Sequence, residues 1–239
     1  MPPAKSNDIL NIEGPGPHYA QPLLFPFGDI SKGTVELYPT VWAELEKLII
    51  GQAKERMEAL EKLVEMNAAR FSPLVIFVLT TRLMDTNIEI RTRVIELLGE
   101  ILAPDENGNF APDEVQDCLK ISLTQMRTRQ VYAILQVLLS NPNLLQVASR
   151  MMNYCPFAGN HLADVAGSRQ APIEIRRQAI LLIGEVGYLD AVPSLERLLL
   201  RLESRLNGQH SMPFAPPTGA DDTSLIPDIT QTLHVLRSP

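Results

Sequence analysis

Cys155, His161 and Asp164 fall within ten residues of one another, in CPFAGNHLAD. A thiol, an imidazole and a carboxylate in that order could act as nucleophile, base and orienting group. No nucleophile signature surrounds them, so a half-buried thiol in a loop is the simpler expectation. Asp105 to Asn109, DENGN, has the polar character of a calcium loop. Its glycine is the fourth residue rather than the sixth, and no glutamate stands twelfth, so it reads as a turn. The two cysteines, Cys118 and Cys155, match no Cys-x-x-Cys spacing. They read as free thiols of a reducing compartment. No glycine-rich phosphate loop is present. These residues imply no catalytic group, no metal and no cofactor.

Charge narrows the partners. The net charge is -7, which disfavours a broad phosphate-binding surface, because nucleic-acid affinity comes largely from clustered Lys and Arg. The opening MPPAKSNDILNIEGPGP does not read as a secretory leader, and no apolar run approaches the roughly 18–20 residues of a membrane span. The expectation is a cytoplasmic protein without nucleic-acid binding or membrane insertion.

The elements that must position any site begin after an unusual stretch. Residues 1–39 carry seven prolines, which remove backbone donors and resist helix, so an extended arm is expected. It includes the apolar PLLFPFG, Pro22 to Gly28, and GTVELY, which could form a short strand. From Thr40 onward, residues 40–239 read as helices. TVWAELEKLII has Val41, Leu45, Leu48 and Ile49 on one face, and Gly51 ends it. AKERMEALEKLVEM should bury Met57, Leu60, Leu63 and Val64. Ser72-Pro73 is a cap and first-turn pair that opens PLVIFVLTTRLM. Helical patterns follow at 88–102, from Asp113, at 127–140, from Asn143 and from Ile173. Residues 155–170 look looser, and 207–222 is a loop by composition before a last helix.

The second helices of these pairs repeat. Ala59, Val94, Ala133 and Ala179 align at spacings of 35, 39 and 46. Leu60, Ile95, Ile134 and Ile180 follow them, and Arg56, Arg91, Gln130 and Arg176 stand three residues before. Two helices per unit at a period near 40 predict an α-solenoid of about five helical hairpins. IEIRTRVIELLGEIL and IEIRRQAILLIGEVG, with AVPSLERLL after the second, resemble HEAT repeats. The short HEAT-like variety of phycobilisome lyases is the nearest likeness. The likeness is strong over 85–102 and 173–200, partial over 40–66 and 112–140, and excludes 1–39 and 207–222. It implies a ladder of hydrogen bonds between an Asp in each inter-helix turn and an Arg six residues later. Asp85 and Arg91 match both positions, while Arg56 and Arg176 keep only the Arg, with Ile50 and Gln170 at the Asp positions.

The resemblance also implies what to test for. HEAT-like hydroxylases hold iron through His-Glu pairs, and none of the four histidines here precedes a glutamate. HEAT-like glycosylases need a basic groove, against the acidic balance. The family's second helices line a concave surface, and their non-core stripes can be read in register. They carry Lys54, Glu58, Glu61 and Glu65; then Glu89, Arg93, Glu96 and Glu100; then Thr128, Tyr132, Leu135 and Leu139; then Glu174, Gln178, Leu181 and Glu185. One end is acidic and the middle is apolar. Val131 to Leu139 has only Gln136 as a polar residue. A helix apolar all round is buried on all sides, so something must cover it: the N-terminal arm, the loop near Met212 and Phe214, a partner or a second copy. The expected function is a non-enzymatic scaffold that takes a partner protein, through a basic segment of it, on this stripe. The alternative is a lyase-like enzyme or small-molecule chaperone that uses the same groove with Cys155 or His161.

Overall fold

Most helices form where the apolar period places them, and several of their ends have a local cause. A computed structural model of the chain describes residues 38–206 and 222–238, all helical or connecting, with no strand among them. The expected arm lies outside the described residues up to position 37, as does loop 207–221. Helix α1 (Pro39–Ile50) begins one residue earlier than expected, on a proline whose fixed φ suits the first turn. Gly51 ends it in an extended conformation. In α2 (Ala53–Glu65) the Gln52 N–H donates to Glu55 Oε2 at 2.7 Å, which holds the start of the helix. After the short α3 (Ala68–Phe71), Ser72 Oγ accepts from the Val75 N–H at 3.1 Å and starts α4 (Pro73–Arg82). Asn87 Oδ1 accepts from the Glu89 and Ile90 N–H groups to start α5 (Ile88–Ile101).

The chain continues through α6 (Asp113–Thr124), α7 (Thr128–Ser140), a 3₁₀ turn Pro142–Leu144, and α8 (Leu145–Met152). The stretch expected to be loose is a helix, α9 (Ala158–Gly167). Its Ala158, Gly159, Leu162, Ala163 and Ala166 are buried. These small side chains let neighbouring backbones approach, which composition alone disguises as loop. Then come α10 (Ile173–Val186), stopped by Gly187 at φ 85°, α11 (Val192–Leu206) and α12 (Ile226–Arg237). Asp222, read as the end of a loop, is buried and opens a 3₁₀ turn before α12.

Helices α1/α2, α4/α5, α9/α10 and α11/α12 pack as consecutive pairs. The aligned second helices are neighbours in order, α2 on α5, α5 on α7, α7 on α10 and α10 on α12. The pair expected over 112–140 does not form. Helix α6 lies on α4, whereas α7 lies on α5, α9 and α10, and the two barely touch. The reason is amphipathicity. Helix α6 buries one narrow stripe, Val115, Leu119 and Leu123, enough for one neighbour. Helix α7 buries Val131, Ala133, Ile134, Leu135, Val137 and Leu138 and must be surrounded. The turn Pro142–Leu144 folds back on α7, and α8 continues across α5 and α10. So the chain's own helices enclose Leu135, while Leu139 at the end of α7 stays exposed and the arm and loop lie outside the described residues.

Ion pairs tie the stack together. Arg56 Nη2 reaches Asp85 Oδ1 at 2.8 Å, from one helix pair to the next. Asp85 Oδ1 also accepts from the Asn87 N–H at 2.9 Å. Arg176, 1% exposed, pairs with Asp222 and donates through Nε to the Ala166 carbonyl at 2.8 Å. Arg205 closes on the other oxygen of Asp222 at 3.2 Å. Arg56 and Arg176 therefore have their aspartates, supplied by the following pair rather than by their own turn. Arg91, whose own turn holds Asp85, donates instead to Gln136 Oε1 at 2.7 Å. That glutamine lies six residues past Gln130, the position aligned with Arg91, so the regular register is broken where α5 meets α7. Ile49, expected in the core, is 47% exposed, while Glu44 is buried beside Lys47.

Candidate functional site

The acidic stripe closes around one cation. Arg93 Nε donates to Glu61 Oε1 at 3.0 Å, across from α5 to α2. Its Nη1 reaches Glu96 Oε2 at 3.2 Å and Glu100 Oε1 at 3.9 Å. Partial burial alone would lower the guanidinium pKa, but the hydrogen bonds to Glu61 and Glu96 hold it above its usual value. Glu61, Glu89, Arg93 and Glu96 line one side of a shallow hollow of about 410 Å³. Met57, Ile88 and Thr92 share that lining, and Ser140 and Asn141 close it from the end of α7. Asn141 Nδ2 donates to Thr92 Oγ1 at 3.4 Å. Glu58 and Glu65 are exposed on α2, three residues before and four after Glu61, so all three share a helical face. Glu65 and Glu89 form no ion pair among the described residues; Glu58 stands 3.8 Å from Lys54 on the open surface.

The rest of the expected stripe is not gathered there. Leu135 is fully buried in the main core and cannot meet a partner. Its helix is enclosed, so the non-core position that the register assigns is filled by neighbouring helices. Tyr132 lines a second hollow of about 380 Å³ with Met84, Thr128, Arg129, Asp164 and Gln170. Leu139, Leu181 and Glu185 are exposed, and Gln178 is half-buried on α10. Helix α7 thus gives its first turn to one hollow and its end to the other.

The Cys155 thiol is buried, and burial pushes its pKa up; Sγ rests 3.8 Å from the Met126 carbonyl. Burial pushes the Cys118 thiol up as well. His161 Nδ1 lies 2.9 Å from Thr128 Oγ1. Asp164 is on the second hollow's rim. A thiol held in its protonated form is a poor nucleophile. Asp105 is a turn residue: its Oδ1 accepts from the Asn107 and Asn109 N–H groups, and Arg70 sits 3.2 Å from Oδ2. Among the described residues no group of three His, Cys, Asp or Glu side chains is placed to hold a metal. None of the described helices is long and apolar enough to cross a membrane. Comparison with protein-family models, with curated proteins and with solved structures finds no match for this chain.

The sequence missed the Arg93 cluster as a unit. Its members were legible singly from the register. Their convergence depends on how closely α2 approaches α5, which no local pattern encodes. Asp222 was missed because its signal is a long-range partner in a segment of loop composition.

Proposed function

We propose that the chain is a non-enzymatic interaction platform, a HEAT-like helical stack whose α2/α5 hollow takes a basic segment of a partner protein. The observation that carries the reading is the charge imbalance at that hollow. Three carboxylates converge on Arg93, and Glu65 and Glu89 carry no ion pair among the described residues. One guanidinium is already seated among those carboxylates, so the spacing suits a second cation arriving from a partner. Met57 and Ile88 in the lining offer apolar contact beside the charges, which matches a helix or strand that alternates basic and apolar residues.

The test uses a fluorescently labelled Lys- and Arg-rich amphipathic peptide titrated into the protein. Binding should appear at low ionic strength, weaken as salt rises, and fall sharply in Glu58→Lys/Glu65→Lys/Glu89→Lys. These positions lie outside the Arg93 ion pairs, so the variant keeps its internal cluster. Equal binding by the variant, or no binding at low salt, would reject the reading.

A further inference from the structure

Helix α1 stands at one end of the stack, packed on α2 and α4, and its outer side sets large apolar side chains beside the exposed Glu46 and Lys47. Trp42 is 54% exposed, Ile49 47% and Ile50 72%, and Tyr38 just before the helix is 62% exposed. Trp42 and Ile49 are seven residues apart and so share a face. The end unit of a helical stack has no neighbour on one side and needs a polar outer face or a cover to remain soluble. Here the face carries the chain's single tryptophan, with Glu46 as the charged residue between it and Ile49.

We propose that the segment Leu23–Phe27 of the same chain packs on this outer face of α1, over Trp42 and Ile49, and caps that end of the stack. Its composition fits the surface, with Leu23, Leu24, Phe25 and Phe27 within five residues. Pro22 and Pro26 keep it from competing as a helix. Its attachment fits too. Ten residues, 28–37, join Phe27 to Tyr38; extended, they reach about 33 Å. Helix α1, at 12 residues, is about 18 Å long. The tether can therefore bring the segment alongside either Trp42 or Ile49. Tethering also sets an effective concentration of order millimolar, which favours this occupant over a second copy at micromolar concentration. The proposal stands apart from the acidic hollow and does not depend on it.

Trp42 reports directly. The full chain should show blue-shifted indole emission with weak acrylamide quenching, independent of protein concentration. Leu24→Ser/Phe25→Ser/Phe27→Ser should shift the emission red and raise the quenching constant, with helix content by circular dichroism unchanged. If the triple variant loses helix content, Phe25→Ser alone gives the same reading with a smaller shift. Emission of a solvated indole in the full chain would overturn the proposal. So would a blue-shifted emission that the substitutions leave unchanged. A blue shift that appears only as protein concentration rises would overturn it as well, and would assign the face to a second copy.

Discussion

Arg176 and Asp222 are 46 residues apart and meet inside the core. A buried charge is tolerated only when paired, and removing one partner leaves the other uncompensated. Asp222→Ala should therefore lower the unfolding free energy by about 3–5 kcal/mol, read by urea denaturation; a change within about 0.5 kcal/mol, the scale of an ordinary surface substitution, would contradict the rung. The repeat made Arg176 legible, because arginine stands three residues before three of the four aligned positions. Its partner was not legible, because the ladder joins neighbouring pairs and Asp222 sits at the edge of a loop-like segment. Asp105 gives a prediction in pH. The backbone N–H of Asn109, then that of Asn107 and the charge of Arg70, outweigh partial desolvation and hold its carboxyl below the ordinary range. A carboxylate with a depressed folded pKa stabilises the fold above its unfolded value, near 4, and loses that contribution as pH falls through the folded value. Wild type should melt higher than Asp105→Asn at neutral pH, and the gap should close below pH about 4. A gap that persists unchanged in acid would assign the difference to something other than the charge.

Between helices, the two near-copies diverge in what their shared glycine meets. A Cβ at Gly99 would lie 2.4 Å from Val147 Cγ1 on α8, whereas one at Gly184 would lie 3.3 Å from Thr232 on α12. Both helices would gain up to about 1 kcal/mol of intrinsic propensity from alanine. At Gly99 overpacking of about 1–3 kcal/mol opposes that gain. Gly99→Ala should be destabilised more than Gly184→Ala, and Val147→Ala in the Gly99→Ala background should recover part of the loss. Equal stability of the two alanine variants by urea denaturation would show that α8 does not press on α5. Local periodicity made most helices and their core faces legible, including Leu60, Ile95, Ile134 and Ile180, all buried. It did not reveal that α6 and α7 part company, because both have good helical patterns. The warning was the near-continuous apolar character of Val131 to Leu139. That character required a cover without saying that α5, α9 and α10 would supply most of it and leave Leu139 exposed.

At the scale of the whole molecule, successive second helices follow one another from α2 to α12, with the regular pairing interrupted at α6 and α7. The two hollows lie at opposite ends of α7 with Leu135 buried between them, so the expected continuous stripe is not one surface. Of the acidic positions that the register assigned, Glu61, Glu96 and Glu100 meet at Arg93. The burial of Leu135 was not readable, because it depends on α5, α9 and α10, which lie apart from α7 in sequence and pack on it in space. The central claim is that a basic segment docks on α2 and α5. Amide hydrogen exchange on the whole chain, with and without the basic amphipathic peptide, tests it most directly. The account predicts added protection in Ala53–Glu65 and in the first half of Ile88–Ile101, lost at high salt. Protection confined to α9 and the start of α7, or no protection at any salt, would contradict it.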